Sequence, residues 1–178
     1  ILHICDDTGA DVPTGEEGMV YFEQPKRSFE YHNAPDKTQS ATHPLHDNWT
    51  SLGDVGYVDK DGFLYLTDRK AYMIISGGVN IYPQEIEDAL VLHPAVQDVA
   101  VFGVPNADFG EEVKAVVELA ADQTPSDDLA DDLLAYAKEH LAGYKVPRSL
   151  DFTDALPRLP TGKLYKRVLK DQYWPAKS

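Results

Sequence analysis

A lysine beside a glycine near the C-terminal end is the residue best suited to chemistry in this sequence. Lys163 stands in the run Pro160-Thr161-Gly162-Lys163-Leu164. The glycine opens backbone conformations that are closed to other residues, so the loop can reach into a partner site. The lysine ammonium is a compact charge on a flexible stem, and it suits a phosphate whose negative charge grows in a transition state. From these residues alone, the alternative is a solvated lysine in a basic tail.

Two charged residues flank a predicted strand pair and could bind a nucleotide. Asp54 follows Gly53, and its carboxylate could accept hydrogen bonds from both hydroxyls of a ribose. An aspartate that shapes a turn before a hairpin is the alternative. Arg69 carries a rigid fork of N–H donors, which fits ribose or phosphate oxygens and equally fits a structural ion pair with a nearby carboxylate.

Metal chemistry is not expected. His43, His46 and Asp47 have a spacing that could bind zinc, but no second ligand cluster accompanies them. We therefore interpret both histidines as surface residues that precede Trp49. Four aspartates lie at the start of a predicted helix and are interpreted as its solvated face; they are Asp127, Asp128, Asp131 and Asp132.

Charge is distributed unevenly along the 178 residues. The chain carries a net charge of −14, which disfavours a chain-wide binder of nucleic acid or of an anionic membrane. Residues 143–178 hold eight basic residues, Lys177 among them, against three acidic ones, and thus carry +5, whereas residues 1–142 carry −19. An anionic ligand is therefore expected near the C-terminal end. Apart from Lys163, most basic residues of this segment are interpreted as a general attraction for phosphates or as solvated surface.

Composition sets further limits. Hydrophobic residues make up 43% of the chain, enough for a folded core. No apolar run approaches the roughly 20 residues of a membrane helix. The single cysteine, Cys5, excludes an internal disulfide framework and fits a reducing compartment, which predicts a cytoplasmic protein. The chain begins mid-strand at Ile1, which suggests a piece of a longer protein.

The pattern of residues predicts an α+β chain in two parts. Residues 1–68 read as short strands separated by turns, and the clearest is a hairpin around Asp61-Gly62. Residues 69–178 interleave strands and helices, with Pro83 opening one helix and Ser126 capping another. The elements expected in this second part are strands at 73–76, 96–104, 113–119 and 150–152, and helices at 83–92, 126–141 and 165–172.

Three long motifs in order resemble the adenylate-forming enzymes, the superfamily of acyl- and aryl-CoA synthetases, luciferase and peptide-synthetase adenylation domains. The block from Gly53 to Lys70 resembles their ribose-binding and hinge region. Met73-Ile-Ile-Ser-Gly-Gly-Val-Asn-Ile-Tyr-Pro-Gln-Glu-Ile-Glu87 resembles their glycine loop and the helix that follows it. Pro160-Thr-Gly-Lys163-Leu-Tyr-Lys-Arg resembles their C-terminal lysine motif. The spacing through residues 68–80 is most similar to the bacterial fatty-acyl-type ligases.

This resemblance implies a two-step reaction. ATP and a carboxylic acid give an acyl-adenylate and pyrophosphate, and the thiol of CoA then displaces AMP. Residues 1–68 would be the β-rich end of the large adenylation domain, and 69–178 the mobile C-terminal domain that rotates between the steps. Mg²⁺ would be bound mainly by the large N-terminal domain, which is the expected partner of this chain.

The resemblance also assigns roles to single residues. Lys163 would bridge the carboxylate and the α-phosphate during adenylation, while Asp54 and Arg69 would contact the nucleotide. Ser76, Gly77 and Gly78 would line the narrow channel for the pantetheine arm of CoA, and Phe109 would lie beside that channel. Tyr144 and Lys145 would stack on and pair with the CoA nucleotide.

Three positions differ from the common family pattern. Leu52 stands where a threonine usually precedes Gly53-Asp54, and Val146 where a second basic residue often follows Lys145. The usual polar pivot position holds Ala71, so the hinge is assigned to a short segment whose candidates are Asp68, Lys70 and Ala71.

The sequence therefore predicts the C-terminal part of an AMP-forming acyl-CoA synthetase, with the 178 residues inactive by themselves. The alternative is a non-catalytic module that binds adenine nucleotide or CoA, or that docks on a partner. A Gly-rich Ser/Thr phosphate loop encoded upstream of Ile1 would favour the ligase. A homo-oligomer is compatible with either interpretation.

Overall fold

The computed structural model describes residues 1–174 and divides into two compact units. The first unit runs from Ile1 to Ala71, and the second begins at Tyr72. Lys177 lies outside the described residues. The predicted roles of segments 1–68 and 69–178, with a hinge near 68–71, remain predictions. No helix within the described range is long and apolar enough to traverse a bilayer.

The first unit is a five-stranded antiparallel sheet with one short helix. Its strand order is β1-β2-β4-β5, with β3 paired to the side of β2. The elements are β1 (Leu2–Cys5), β2 (Gly18–Glu23), α1 (Pro35–Ser40), β3 (Trp49–Thr50), β4 (Asp54–Val58) and β5 (Leu64–Arg69).

The predicted hairpin is confirmed as β4 and β5. The Asp59 carboxylate closes its turn by accepting the backbone N–H groups of Asp61 and Phe63, each at 2.9 Å. Gly62 has a φ of +85°, which explains the glycine after Asp61. The register places Asp54 directly opposite Arg69.

The second unit is built on another five-stranded sheet. Its order is β10-β9-β6-β7, and β8 pairs antiparallel with β9. The strands are β6 (Ile74–Ser76), β7 (Val79–Ile81), β8 (Val96–Asn106), β9 (Gly110–Leu119) and β10 (Ser149–Thr153). The helices are α2 (Pro83–Leu90), α3 (Asp127–His140) and α4 (Lys166–Tyr173).

Both faces of this second sheet are covered, which explains the nearly continuous apolar sequence of β8. Val99 and Val101 point to a core shared with α2 and α3, whereas Ala100 and Phe102 point to a core shared with α4. Successive strand residues face opposite sides, so a strand buried on both sides lacks polar alternation. The unit is therefore three layers, helices on each side of the sheet.

The predicted helix starts are confirmed. Pro83 occupies the first turn of α2, and the Ser126 hydroxyl caps α3 by accepting the N–H of Leu129 at 3.2 Å. Strands β8 and β9 are longer than expected, because they form one long hairpin that continues to its turn at residues 107–109. Strand β7 was not predicted.

A buried cysteine lies at the end of β1. Cys5 is 1% exposed, and burial together with the neighbouring Asp11 carboxylate raises the pKa of its thiol to about 11. A thiol with that pKa is protonated and poorly reactive at neutral pH. Cys5 is thus a small core residue of the first unit.

Candidate functional site

The lysine motif forms a tight, exposed loop. The Leu159 N–H donates to the Lys163 carbonyl at 2.8 Å, and the Gly162 N–H donates back to the Leu159 carbonyl at 2.8 Å. Gly162 has a φ of +84°, a conformation that a residue with a Cβ adopts only at a cost. The fold therefore presents the exposed Lys163 side chain at the tip of a closed turn.

A neighbouring arginine anchors this loop. One N–H of the Arg158 guanidinium donates to the Gly162 carbonyl at 2.8 Å, and the same group forms an ion pair with Asp98 on β8. On the far side of the loop, the Tyr165 N–H donates to the Pro157 carbonyl at 2.8 Å. The two legs of the loop are thus held together and tied to the sheet.

An open groove of about 690 Å³ gathers several of the residues expected around CoA. Ser76, Gly77, Phe109 and Tyr144 all line it, whereas Gly78 and Lys145 lie outside its lining. Three further lining residues were not predicted as site residues: the basic Lys138 and Arg148, and Pro147 between Val146 and Arg148. The groove therefore combines an apolar wall with cationic side chains.

Gly77 and Gly78 form the two-residue turn between β6 and β7. Both have positive φ, +57° and +82°, as a type I′ hairpin turn requires. A Cβ added at Gly77 would lie 3.0 Å from Cδ1 of Phe109, while one at Gly78 would meet nothing within 4 Å. The pair is a hairpin turn, and its first glycine keeps space open beside the groove.

The aromatic side of the groove carries a positive charge. The Arg148 guanidinium lies 4.5 Å from the centre of the Phe109 ring, close enough for a cation–π contact. The Arg148 backbone N–H donates to the Val113 carbonyl at 2.9 Å, and this bond fixes the position of the Arg148 backbone beside β9. An anionic ligand in the groove would meet a guanidinium held in position by stacking.

The Tyr144–Lys145 pair occupies a single turn of 3-10 helix, Gly143–Lys145. Tyr144 is 56% exposed, and its ring could stack on a flat ligand. The Lys145 ammonium forms an ion pair with Glu85 on α2 and lies 5.6 Å from the Tyr144 ring centre. In this structure the lysine therefore faces a carboxylate.

The two nucleotide candidates of the first unit pair with each other. Nε of Arg69 lies 3.0 Å from Oδ1 of Asp54, and the arginine side chain remains 59% exposed. Gly53, with a φ of +84°, accepts the Lys70 N–H through its carbonyl at 2.9 Å. Ribose hydroxyls could donate hydrogen bonds to Asp54 and accept them from Arg69 at this strand pair.

The hinge candidates Asp68, Lys70 and Ala71 lie on either side of Arg69 in the sequence. Asp68 is in β5, and its carboxylate accepts the Arg69 N–H at 2.6 Å. Lys70 and Ala71 form a 3-10 turn with Tyr72, and the Lys70 ammonium lies 3.2 Å from Asp7. The hinge candidates thus lie at the end of β5 and in the 3-10 turn that follows it.

The burial of Glu87 and Lys166 was not predicted, and Lys166 belongs to the tail bases that were interpreted as general attraction or solvated surface. Glu87 is 7% exposed and Lys166 is 8% exposed, and their charged ends lie 2.7 Å apart. A signal was present in α2, where the buried positions Pro83, Ile86, Glu87 and Leu90 follow one helical face. A carboxylate on an apolar face predicts a buried partner.

The interpretation of His43 as a surface residue was also wrong. His43 is 3% exposed, and its Nε2 lies 3.0 Å from the Gly9 carbonyl. Burial lowers the pKa of His43 below the ordinary histidine value. His46 is exposed as expected, and its ring stacks on Trp49. Across residues 1–174, no three side chains of His, Cys, Asp or Glu are arranged to hold a metal ion.

A polar network joins α4 to the edge of the sheet. The Tyr173 hydroxyl donates to Asp151 at 2.6 Å, and the Lys114 ammonium lies 3.0 Å from the same carboxylate. Burial of the Tyr173 phenol, with its hydrogen bond to Asp151, raises the pKa of Tyr173 to about 12. Burial opposes ionisation of Asp151, but the bonds from Tyr173 and Lys114 outweigh it and lower the pKa of Asp151.

Comparison with known proteins gives consistent matches. Residues 85–163 match the AMP-binding enzyme C-terminal domain. The chain is 40% identical over 171 residues to the fatty acid–[acyl-carrier-protein] ligase ScoC of Streptomyces coeruleorubidus, covering 96% of this chain and 32% of that protein. It is 41% identical over 172 residues to a long-chain-fatty-acid–CoA ligase of Yersinia pestis, covering 96% of this chain and 29% of that protein.

A solved structure agrees with these matches. The crystal structure of the ATP-bound RpMatB-BxBclM chimera B1 superposes with a TM-score of 0.86 at 38% identity, over 97% of this chain and 34% of that one. The chain spans about a third of the length of each of these relatives.

Proposed function

Because this chain belongs to the AMP-forming ligases, also called adenylate-forming enzymes, we propose that it is the C-terminal part of an acyl-CoA synthetase. The reaction is carboxylate plus ATP plus CoA to acyl-CoA, AMP and pyrophosphate. The finding that supports this best is the groove of the second unit, where Ser76, Gly77, Phe109 and Tyr144 meet. These are residues that the motif resemblance assigns to CoA.

In the first step, a carboxylate oxygen attacks the α-phosphorus of ATP, and the bond to pyrophosphate breaks. The Lys163 ammonium donates hydrogen bonds to the carboxylate and to an α-phosphate oxygen, and it stabilises the negative charge that grows there. The exposed loop around Gly162 suits this task because it carries the side chain outward. Asp54 and Arg69 hold the ribose hydroxyls.

In the second step, the CoA thiolate attacks the acyl carbonyl, and AMP leaves with the electrons of the broken acyl–phosphate bond. The pantetheine arm lies along the Gly77 side of the groove. Arg148, stacked on Phe109, and Lys138 supply positive charge for the phosphates of CoA. The domain turns at the hinge formed by Asp68, Lys70 and Ala71 to exchange the lysine loop for this groove.

We assign Mg²⁺ to the large domain of the complete enzyme. The described residues offer no acidic cluster that would hold it, so no step here depends on it. The carboxylic acid is also bound by that domain, which is the principal partner of this chain. We place the enzyme in the cytoplasm.

The test uses the complete protein and the 178-residue chain side by side. We expect the complete protein to release pyrophosphate in the presence of ATP and a carboxylic acid, and to form an acyl-thioester when CoA is added. The 178-residue chain alone should do neither. Acid-dependent pyrophosphate release by this chain would contradict the division of roles. A complete protein that binds ATP or CoA without turnover would favour the non-catalytic alternative.

A further inference from the structure

The ion pair between Glu87 and Lys166 links the helix after the glycine loop to the helix after the lysine loop. Nζ of Lys166 lies 2.7 Å from Oε1 and 2.8 Å from Oε2 of Glu87, and each side chain is 9% exposed. Oε1 of Glu87 also accepts the Val101 N–H from β8 at 2.6 Å. The carboxylate is therefore fixed to the sheet and holds the ammonium from there.

Lys166 stands in an unfavourable place for helix stability. It is the first residue of α4, it is followed by Arg167, and the first turn has no acidic residue and no side-chain cap. The N-terminal end of a helix carries partial positive charge, so cations there are destabilising. A buried ion pair is also weak evidence for stability, because desolvation of the charges offsets their attraction. A buried cation at the N-terminal end of a helix, where it does not favour stability, points to a functional requirement.

The position of Lys166 relates it directly to the lysine loop. It follows Lys163 by three residues, and the intervening Leu164 packs against the core formed with α4. The rest of α4 has its own anchors, since Lys170 lies 3.3 Å from Glu111 and Tyr173 donates to Asp151. At the first turn, the polar anchor is Lys166. Its loss would leave the helix attached and would loosen the end that bears the loop, which Arg158 would still connect to β8.

The same ammonium also contacts the start of the second unit. It lies 5.2 Å from the centre of the Tyr72 ring, and Tyr72 closes the 3-10 turn that holds the hinge candidates. A cation above an aromatic face at this distance is attracted to it. Lys166 thus contacts Tyr72, just after the hinge candidates, and Glu87 on the helix after the glycine loop, and it stands three residues after Lys163.

We propose that the buried Glu87–Lys166 pair is a positioning device that fixes the lysine loop to the body of the second unit, so that Lys163 reaches the adenylation site in the correct orientation. Neither residue touches the reacting atoms in this account. The proposal rests on the proposed function, because it concerns the half-reaction assigned to Lys163.

The test measures the two half-reactions separately in the complete enzyme. Lys166→Met should lower the rate of acyl-adenylate formation by about ten- to a hundredfold, because small misplacements of a catalytic group have effects of that order. Thioester formation from supplied acyl-adenylate and CoA should change less than threefold. Lys166→Arg, which keeps the charge, should restore part of the adenylation rate. Arg167→Met is the matched control, since that residue is 77% exposed, and both of its rates should equal those of the wild type.

A second variant guards against simple unfolding of the first. Glu87→Gln/Lys166→Met removes both charges, so no carboxylate stays buried without its cation. We expect it to fold and still to adenylate slowly. A folded double variant with the wild-type adenylation rate would overturn the proposal. So would a Lys166→Met enzyme in which both half-reactions fall in parallel with the melting temperature.

Hydrogen exchange separates this proposal from the proposed function. In Lys166→Met, the Leu159, Gly162 and Tyr165 amides of the loop should exchange faster, while the β9 amides stay as protected as in the wild type. Faster loop exchange in an enzyme whose wild type adenylates no acid would refute the proposed function and keep the positioning role. Unchanged loop exchange would refute the positioning role whatever the wild type does.

Discussion

Comparing an added methyl group at each of the two glycines of the β6–β7 turn separates the effect of backbone strain from the effect of a blocked groove. Gly77→Ala and Gly78→Ala both place an L-residue at positive φ, +57° and +82°. This conformation costs about 1–2 kcal/mol, so both variants should lose a similar part of the free energy of unfolding. Thermal unfolding of the two complete enzymes should show similar decreases in melting temperature.

The two variants should differ in one half-reaction. At Gly77 the new Cβ lies 3.0 Å from Cδ1 of Phe109 and beside the groove, whereas at Gly78 it meets nothing within 4 Å. One methyl group in a fitted pocket changes transition-state binding by about 1–3 kcal/mol, or roughly 10–200-fold. We therefore expect Gly77→Ala to slow thioester formation by that range, and Gly78→Ala to leave it within about threefold.

The assay supplies purified acyl-adenylate and CoA and follows the thioester by chromatography, with ATP-dependent adenylation measured in parallel. Adenylation should be unchanged in both variants, because neither glycine belongs to the lysine loop. Equal slowing of thioester formation by the two variants would refute the assignment of Gly77 to the channel. Normal thioester formation by Gly77→Ala would refute it as well.

Further predictions follow from other contacts. Asp54→Asn should raise the KM for ATP about tenfold, because it weakens the contact with the ribose and the ion pair that holds Arg69. An unchanged KM would indicate that Asp54 only shapes the turn. The pKa of Tyr173 is raised to about 12, so its contribution to stability is full below pH 10 and is lost as pH rises towards 12; Tyr173→Phe should remove this loss in alkaline melting curves. Because the pKa of Asp151 is lowered, its carboxylate stabilises the fold above about pH 4, and this contribution is lost as the pH falls further. In acid melting curves of Asp151→Asn, this pH-dependent loss of stability should be absent. Cys5 should react with a thiol reagent at pH 8 only after urea is added, and rapid reaction in the folded protein would contradict its burial.

Local signals predicted much of the fold. Asp61-Gly62, Pro83 and Ser126 each act through a bond or a φ value within a few residues, so their turn, helix start and cap could be predicted from sequence. Strand β7 has only three residues, too few to show an alternating pattern. It forms because Gly77-Gly78 turns the chain back onto β6.

The candidate site was only partly accessible to sequence reasoning. The family resemblance identified Gly77, Phe109 and Tyr144, which the structure brings to one groove. Arg148 was missed because its role depends on stacking over Phe109, a contact between distant residues. The pair of Glu87 and Lys166 spans 79 residues, and neither charge alone reveals its burial. Such pairs become visible only when the packed strands and helices are known.

The proposed mechanism depends most directly on Lys163. The decisive measurement is the rate of each half-reaction in the complete enzyme carrying Lys163→Ala, with the exposed Arg167→Ala as the control. The account predicts that acyl-adenylate formation falls by about 10²–10³-fold. It also predicts that thioester formation from supplied acyl-adenylate continues at the wild-type rate. Adenylation that survives in Lys163→Ala while thioester formation fails would contradict it.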